Sequence, residues 1–129
     1  MSFLHRPRGS VSVEFAAVLP LVAIALLLVA QMGLLVSEQL TIQHAAREGA
    51  RAAAVWNDDT KAREAAIAAG HLDPGRAAIT VSPSARDVGT PVTVSIRYRP
   101  GEVPLVGRFL PSGWELSATV AMRTERAPP

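Results

Sequence analysis

Cysteine is absent from this 129-residue chain, which excludes disulfides and thiolate metal sites and leaves packing alone to hold any folded part together. Aromatic residues are only 5% of a chain that is 49% hydrophobic, so alanine, valine and leucine supply most of its apolar content. Lysine is nearly missing: Lys61 is the only one among 13 basic residues. The formal net charge of +2 is too small for the basic stripe that nucleic-acid binding needs. Even that small excess is local. Arg6 and Arg8 precede Gly9, and without residues 1–9 the chain has 11 basic and 11 acidic residues.

Charge is missing altogether from residues 15–36, FAAVLPLVAIALLLVAQMGLLV. These 22 residues are long enough to cross a bilayer core, which takes about 20 in helical form. A buried helix of a soluble protein would normally keep a polar face at this length. Only Gln31 interrupts the apolar run. The reading is therefore a membrane helix. Arg6 and Arg8, with His5 beside them, lie just before it, and the first charge after it is Glu38. Basic residues favour the cytoplasmic side, which predicts the N-terminus inside and the rest of the chain outside. Pro20 would fall in about the third turn, and membrane helices tolerate such a residue better than soluble ones.

Helix formers continue without proline through residues 37–56, so the helix is expected to run on to Trp56. From Ser10 that is about 70 Å at ~1.5 Å per residue. Ala45, Gly49 and Ala53 recur every fourth residue, as do Ala46, Ala50 and Ala54. Small residues at this spacing let another helix approach closely, although simple alanine richness would give the same pattern. Glu48 and Arg51 are spaced to pair on one face. Asn57-Asp58-Asp59-Thr60 breaks the helix, and Asp59 or Thr60 could cap a second one over roughly residues 60–70, ending at Gly70. Pro74-Gly75 marks a turn.

Beyond the turn the period changes to two. Ile79 and Val81, then Val92, Val94, Ile96 and Tyr98, then Trp114, Leu116, Ala118, Val120 and Met122 alternate with mostly polar neighbours. These segments predict three strands with one buried face, covered by a helix, and residues 126–129 as a frayed tail. The expected fold class is α+β. It comprises a leader at 1–9, a membrane-spanning helix with an extracytoplasmic extension at 10–56, and a small domain of a short helix and about three antiparallel strands at 57–129. A domain of this size without disulfides is near the lower limit for a self-sufficient core, so it should lean on the outer half of the long helix, on a partner, or on both.

No constellation suggests catalysis. His5, His44 and His71 are scattered through leader, helix and turn, and His44 reads as solvated. No serine sits in a nucleophile motif, and no glycine-rich phosphate loop is present. Asp58-Asp59 reads as a helix start rather than a metal site, and Trp56 and Trp114 as core rather than binding surface. The chain is expected to be no enzyme and to use no cofactor, metal, small-molecule substrate or nucleic acid.

What remains is the junction of leader and helix. A basic stretch precedes Gly9, and Ser10-Val11-Ser12-Val13 follow. Glu14 is the fifth residue after that glycine, and Phe15 comes next. A secretory signal peptide is a poor description: its apolar core runs about 7–15 residues, and a carboxylate at its start is atypical. A plain uncleaved signal anchor is the other alternative. A helix N-terminus favours an acidic residue, which accounts for tolerance of Glu14 but not for the glycine at its fixed distance. The pattern resembles the processing site of type IV pilin-like precursors. Over about residues 8–54, RGSVSVEFAAVLPLVAIALLLVAQMGLL followed by LTIQHAAREGARAAA resembles the TadE-like family of minor pseudopilins, which belong to the tight-adherence (Flp) pilus machinery.

The resemblance implies cleavage between Gly9 and Ser10 by a membrane-embedded prepilin peptidase, then assembly with other pilins or pseudopilins. It implies that Glu14, beside Phe15, meets the new amine of a neighbouring subunit. Two functions follow as expectations. One is a structural subunit of a tight-adherence pilus or related secretion filament. The other is an uncleaved, single-pass, membrane-anchored binding module whose outer strands hold a surface ligand.

Overall fold

The computed structural model describes residues 8–127, with side-chain burial from Val11 onward. Leader residues 1–7, including His5 and Arg6, and the last two residues of the expected tail lie outside the described residues. The first helix, α1, spans Arg8–Trp56, 49 residues with Pro20 inside it. Its rise is about 70 Å. It stops where Asn57 takes a left-handed backbone, φ 51°. Asp58 then adopts an extended conformation, and its Oδ1 accepts from the amides of Thr60 (2.7 Å) and Lys61 (3.3 Å). The second helix, α2, spans Asp59–Gly70. Its cap is therefore Asp58, one residue earlier than the sequence suggested. Asp59 is already helical and its carboxylate turns to Arg86 instead.

Three strands follow as an antiparallel meander: β1 at Ala77–Ser82, β2 at Pro91–Tyr98 and β3 at Leu116–Arg123, in the order β1-β2-β3. Ile79 faces Ile96 and Val81 faces Val94 across the first pair; Val94 faces Val120 and Ile96 faces Ala118 across the second. The period-two pattern places Val92, Val94 and Ile96 fully inside, with Val81, Leu116 and Ala118 beside them. Trp114, expected to open β3, stands before it instead. Gly113 has φ 82°, and the Trp114 amide donates to the Pro111 carbonyl, so the chain is still turning there. Trp114 packs half-buried against the core.

The helix covering the sheet is the outer half of α1, not α2. Ile42, Ala45, Ala46, Ala50, Ala53 and Ala54 share one core with the inner face of the sheet. α2 lies mainly against α1, with Ala62 and Ala66 buried, and has little contact with the sheet. The two helices come very close. A Cβ added at Gly49 would sit 3.0 Å from Ala66 Cβ, 3.1 Å from the Ala62 carbonyl oxygen and 3.4 Å from Val94 Cγ1. One added at Gly70 would sit 2.9 Å from Ala45 Cβ. Gly70 thus serves the crossing, while the left-handed turn that closes α2 falls on His71, φ 48°.

A polar clamp fixes the end of α1. Arg86 has a wholly buried side chain, and its Nε donates to Asn57 Oδ1 at 2.9 Å. Its Nη1 donates to Asp59 Oδ1 at 2.7 Å and to the Pro83 carbonyl at 2.8 Å. Asn57 Nδ2 in turn donates to the Arg86 and Arg126 carbonyls. Trp56, expected in the core, is instead 47% exposed, with Lys61 Nζ 4.2 Å from its ring centroid. It lies on the last turn of α1.

The helix crossing carries a stability prediction. Gly49→Leu must push on a backbone carbonyl, and overpacking of this kind costs about 1–3 kcal/mol. Circular dichroism melts of the full chain in detergent should show its folded domain melting several degrees lower. Gly33→Leu, at a glycine with nothing within 4 Å, should melt like the unaltered chain. Equal melting of all three would mean the crossing tolerates bulk.

Candidate processing and assembly segment

The residues singled out in sequence fall into two zones on one rod. Gly9 and Ser10 lie in the first turn of α1, and the helical backbone runs through them without a break. Glu14 and Phe15 follow within about two turns, both exposed. Ala45, Gly49 and Ala53 lie some 31 residues beyond Glu14, a rise of about 47 Å. The structure does not bring the two zones together, and neither can act directly on the other.

The first zone stands bare. Along residues 11–30 nearly every side chain is exposed, and Val13, Leu21 and Val29 are about as open as Val11. This helix is long and apolar enough to cross a membrane by length and composition. Such a surface is unfavourable in water, at ~25 cal/mol per Å2, so lipid or other helices must cover it. Pro20 brings no amide hydrogen, so the Ala16 carbonyl has no donor at its usual i+4 position. The helix nonetheless continues on both sides.

The second zone is occupied within the chain. Ala45, Gly49 and Ala53 are buried against α2 and the sheet. The Glu48–Arg51 pair expected from its spacing is present at 4.0 Å, on the exposed side. His44 is exposed. Among the described residues, no group of three or more histidines, cysteines or carboxylates is placed to hold a metal ion.

Sequence reasoning missed the part played by Gln31. It sits inside the charge-free run yet is only 7% exposed, because its Oε1 accepts from the amides of Leu105 (3.2 Å) and Val106 (3.0 Å). The loop joining β2 to β3 therefore reaches back down α1 into the apolar stretch. A lone amide in an otherwise apolar helix was the available signal, since a buried amide needs a partner. Its partners are 74 and 75 residues away in sequence.

With this geometry in view, the comparison with known families is specific about place. A family model described as TadE-like protein matches residues 9–51, one third of the chain. The match begins at Gly9, takes in Glu14, Phe15 and the bare apolar run, and ends within the small-residue stripe. No curated protein and no solved structure matches the chain.

Proposed function

We propose that this chain is a minor pseudopilin-like structural subunit that takes part in assembling a tight-adherence pilus or a related secretion filament. In this reading a prepilin peptidase removes residues 1–9, the apolar helix holds the subunit in the plasma membrane, and other pilins or pseudopilins later take the place of lipid around it. The N-terminus is cytoplasmic and the folded domain extracytoplasmic. The protein has no catalytic role. One observation carries the proposal: the Gly9, Glu14 and Phe15 spacing stands at the head of a helix left bare along its apolar length, inside the segment that matches the TadE-like model.

The physical logic supports an assembly part. A helix that its own chain leaves uncovered can exchange one apolar environment for another at little net cost, lipid tails being as apolar as leucine. The domain rides on the far half of the same helix and stays folded while the bare half changes surroundings. Cleavage after Gly9 would create a positive amine on Ser10, four residues from Glu14. By resemblance to pilin-like families, Glu14 meets that amine on a neighbouring subunit and sets the axial register.

Three outcomes are expected. Co-expressed with a prepilin peptidase, the chain should yield a product beginning at Ser10 by intact mass, and Gly9→Val should block this; an uncut chain beside an active peptidase would favour the uncleaved binding module. A cysteine at exposed Ser84, in a protein with none of its own, should react with a membrane-impermeant thiol reagent in intact cells. Labelling only after lysis would reverse the topology. Glu14→Leu should still insert and be cleaved, yet fail to co-purify with filament partners. Normal partner recovery and pilus output would reduce Glu14 to a residue that favours its own helix end.

A further inference from the structure

The loop between β2 and β3 comes down α1 to a depth that the apolar run would place inside a bilayer. Gln31 lies five residues before the end of that run, about 8 Å along the axis. The loop amides bonded to it lie at the same level. Gln31 and Leu35 are buried and Leu28 is half-buried, forming one face of the helix, while the rest of residues 11–30 stays exposed. The loop thus covers a single stripe of a surface otherwise left to lipid.

Its backbone is prepared for that depth. Pro104 has no amide hydrogen, and Leu105 and Val106 donate to Gln31. Gly107 donates to the Val103 carbonyl (2.6 Å), Arg108 to Leu105 (3.3 Å) and Phe109 to Val106 (3.0 Å). From residue 104 to 109, every amide that exists has a partner within the chain. Irregular backbone at membrane depth is tolerated only where protein backs it and satisfies its polar groups. A loop in water has no such requirement.

The side chains match. Phe109 is 85% exposed, more than any other exposed large hydrophobic side chain among the described residues, and Leu105, Val106 and Leu110 surround it in sequence. Arg108 is the only charge between residues 103 and 113, and a long side chain at an interface can lift its head into water. At the neck of the loop, Arg99 Nε pairs with Glu115 Oε1 at 3.2 Å, with Trp114 next to it. A charged pair at the neck and an exposed phenylalanine further along the loop suit passage from headgroups towards acyl chains. The lengths agree as well. The charge-free run of residues 15–36 rises about 33 Å against a hydrocarbon core about 30 Å thick, so Gln31, five residues before its end, falls within the leaflet.

We infer that residues 103–110 rest in the bilayer leaflet on the domain's side, with Phe109 in contact with lipid and Gln31 holding the loop at that level. The inference rests on the reading of the apolar run as a membrane span. It adds a second lipid contact, which fixes the tilt and height of the domain over the membrane.

Because the chain lacks cysteine, single nitroxide labels test this directly in the full chain, reconstituted in vesicles of phosphatidylcholine and phosphatidylglycerol. Labels go at Phe109→Cys, at Val22→Cys within the span and at Ser84→Cys on the domain. Each is read by collision with oxygen, which concentrates in lipid, and with a water-soluble nickel chelate. The Phe109 label should show an oxygen-to-nickel ratio several-fold above that at Ser84 and below that at Val22. Adding Gln31→Leu, which removes the acceptor of two loop amides, should shift the Phe109 ratio towards that of Ser84 and leave Val22 unchanged. A ratio at Phe109 equal to that at Ser84, with Val22 deep, overturns the loop contact alone. A Val22 label as wet as Ser84 overturns the span and the loop contact together. A Phe109 label shielded from both reagents indicates a protein neighbour and overturns the lipid assignment.

Discussion

The close approach of α1 to α2 and to the sheet is the constraint on which the rest of the molecule depends. A domain with no disulfide and few aromatics has little means of filling space, so it reduces the space to be filled. Alanine and glycine at positions 45, 46, 49, 50, 53 and 54 bring backbones close enough for many weak dispersion contacts to accumulate. The larger buried side chains come mainly from the sheet, as Val92, Val94 and Ile96, joined by Ile42 of α1 and by Leu72. The domain is therefore not a unit attached to a helix. The outer half of the helix is one of its layers, and division at residue 57 would remove that layer.

This arrangement separates two jobs along one continuous helix. The first part is mostly apolar and, but for the stripe under the β2–β3 loop, uncovered; the second is small-faced and enclosed. The matched family segment spans both, ending just where the enclosed part is under way. The shared sequence is thus the rod and its junctions, while the sheet that rides on it lies outside the match.

Much of this was legible in sequence, where a periodicity or a composition dictates a conformation. The absence of charge over residues 15–36 and the alternation at Val92, Val94 and Ile96 each have one simple structural solution. Local signals erred by a residue or two where tertiary partners decided. Asp59 was available as a cap, but Arg86, 27 residues on, draws its carboxylate away and Asp58 caps instead. Trp114 fits the alternation of β3, yet the left-handed Gly113 keeps it in the turn. Trp56 reads as core by its size, but it stands 47% exposed beside Lys61. The lone amide of Gln31 signals that a partner is needed, but which loop supplies it was illegible, because no local pattern links residues more than 70 positions apart.

The attachments of the sheet to α1 have a mechanical consequence. The loop is tied at Gln31, Gln39 Nε2 donates to the Ser117 carbonyl at 2.9 Å, and the Glu125 amide donates to the Ala54 carbonyl at 2.9 Å. These ties ascend the helix in the same order as they follow the chain through β3. A pull along the rod therefore loads them in parallel, as shear, and none can open first like the end of a zipper. The sheet therefore resists sliding along the helix at all three ties together.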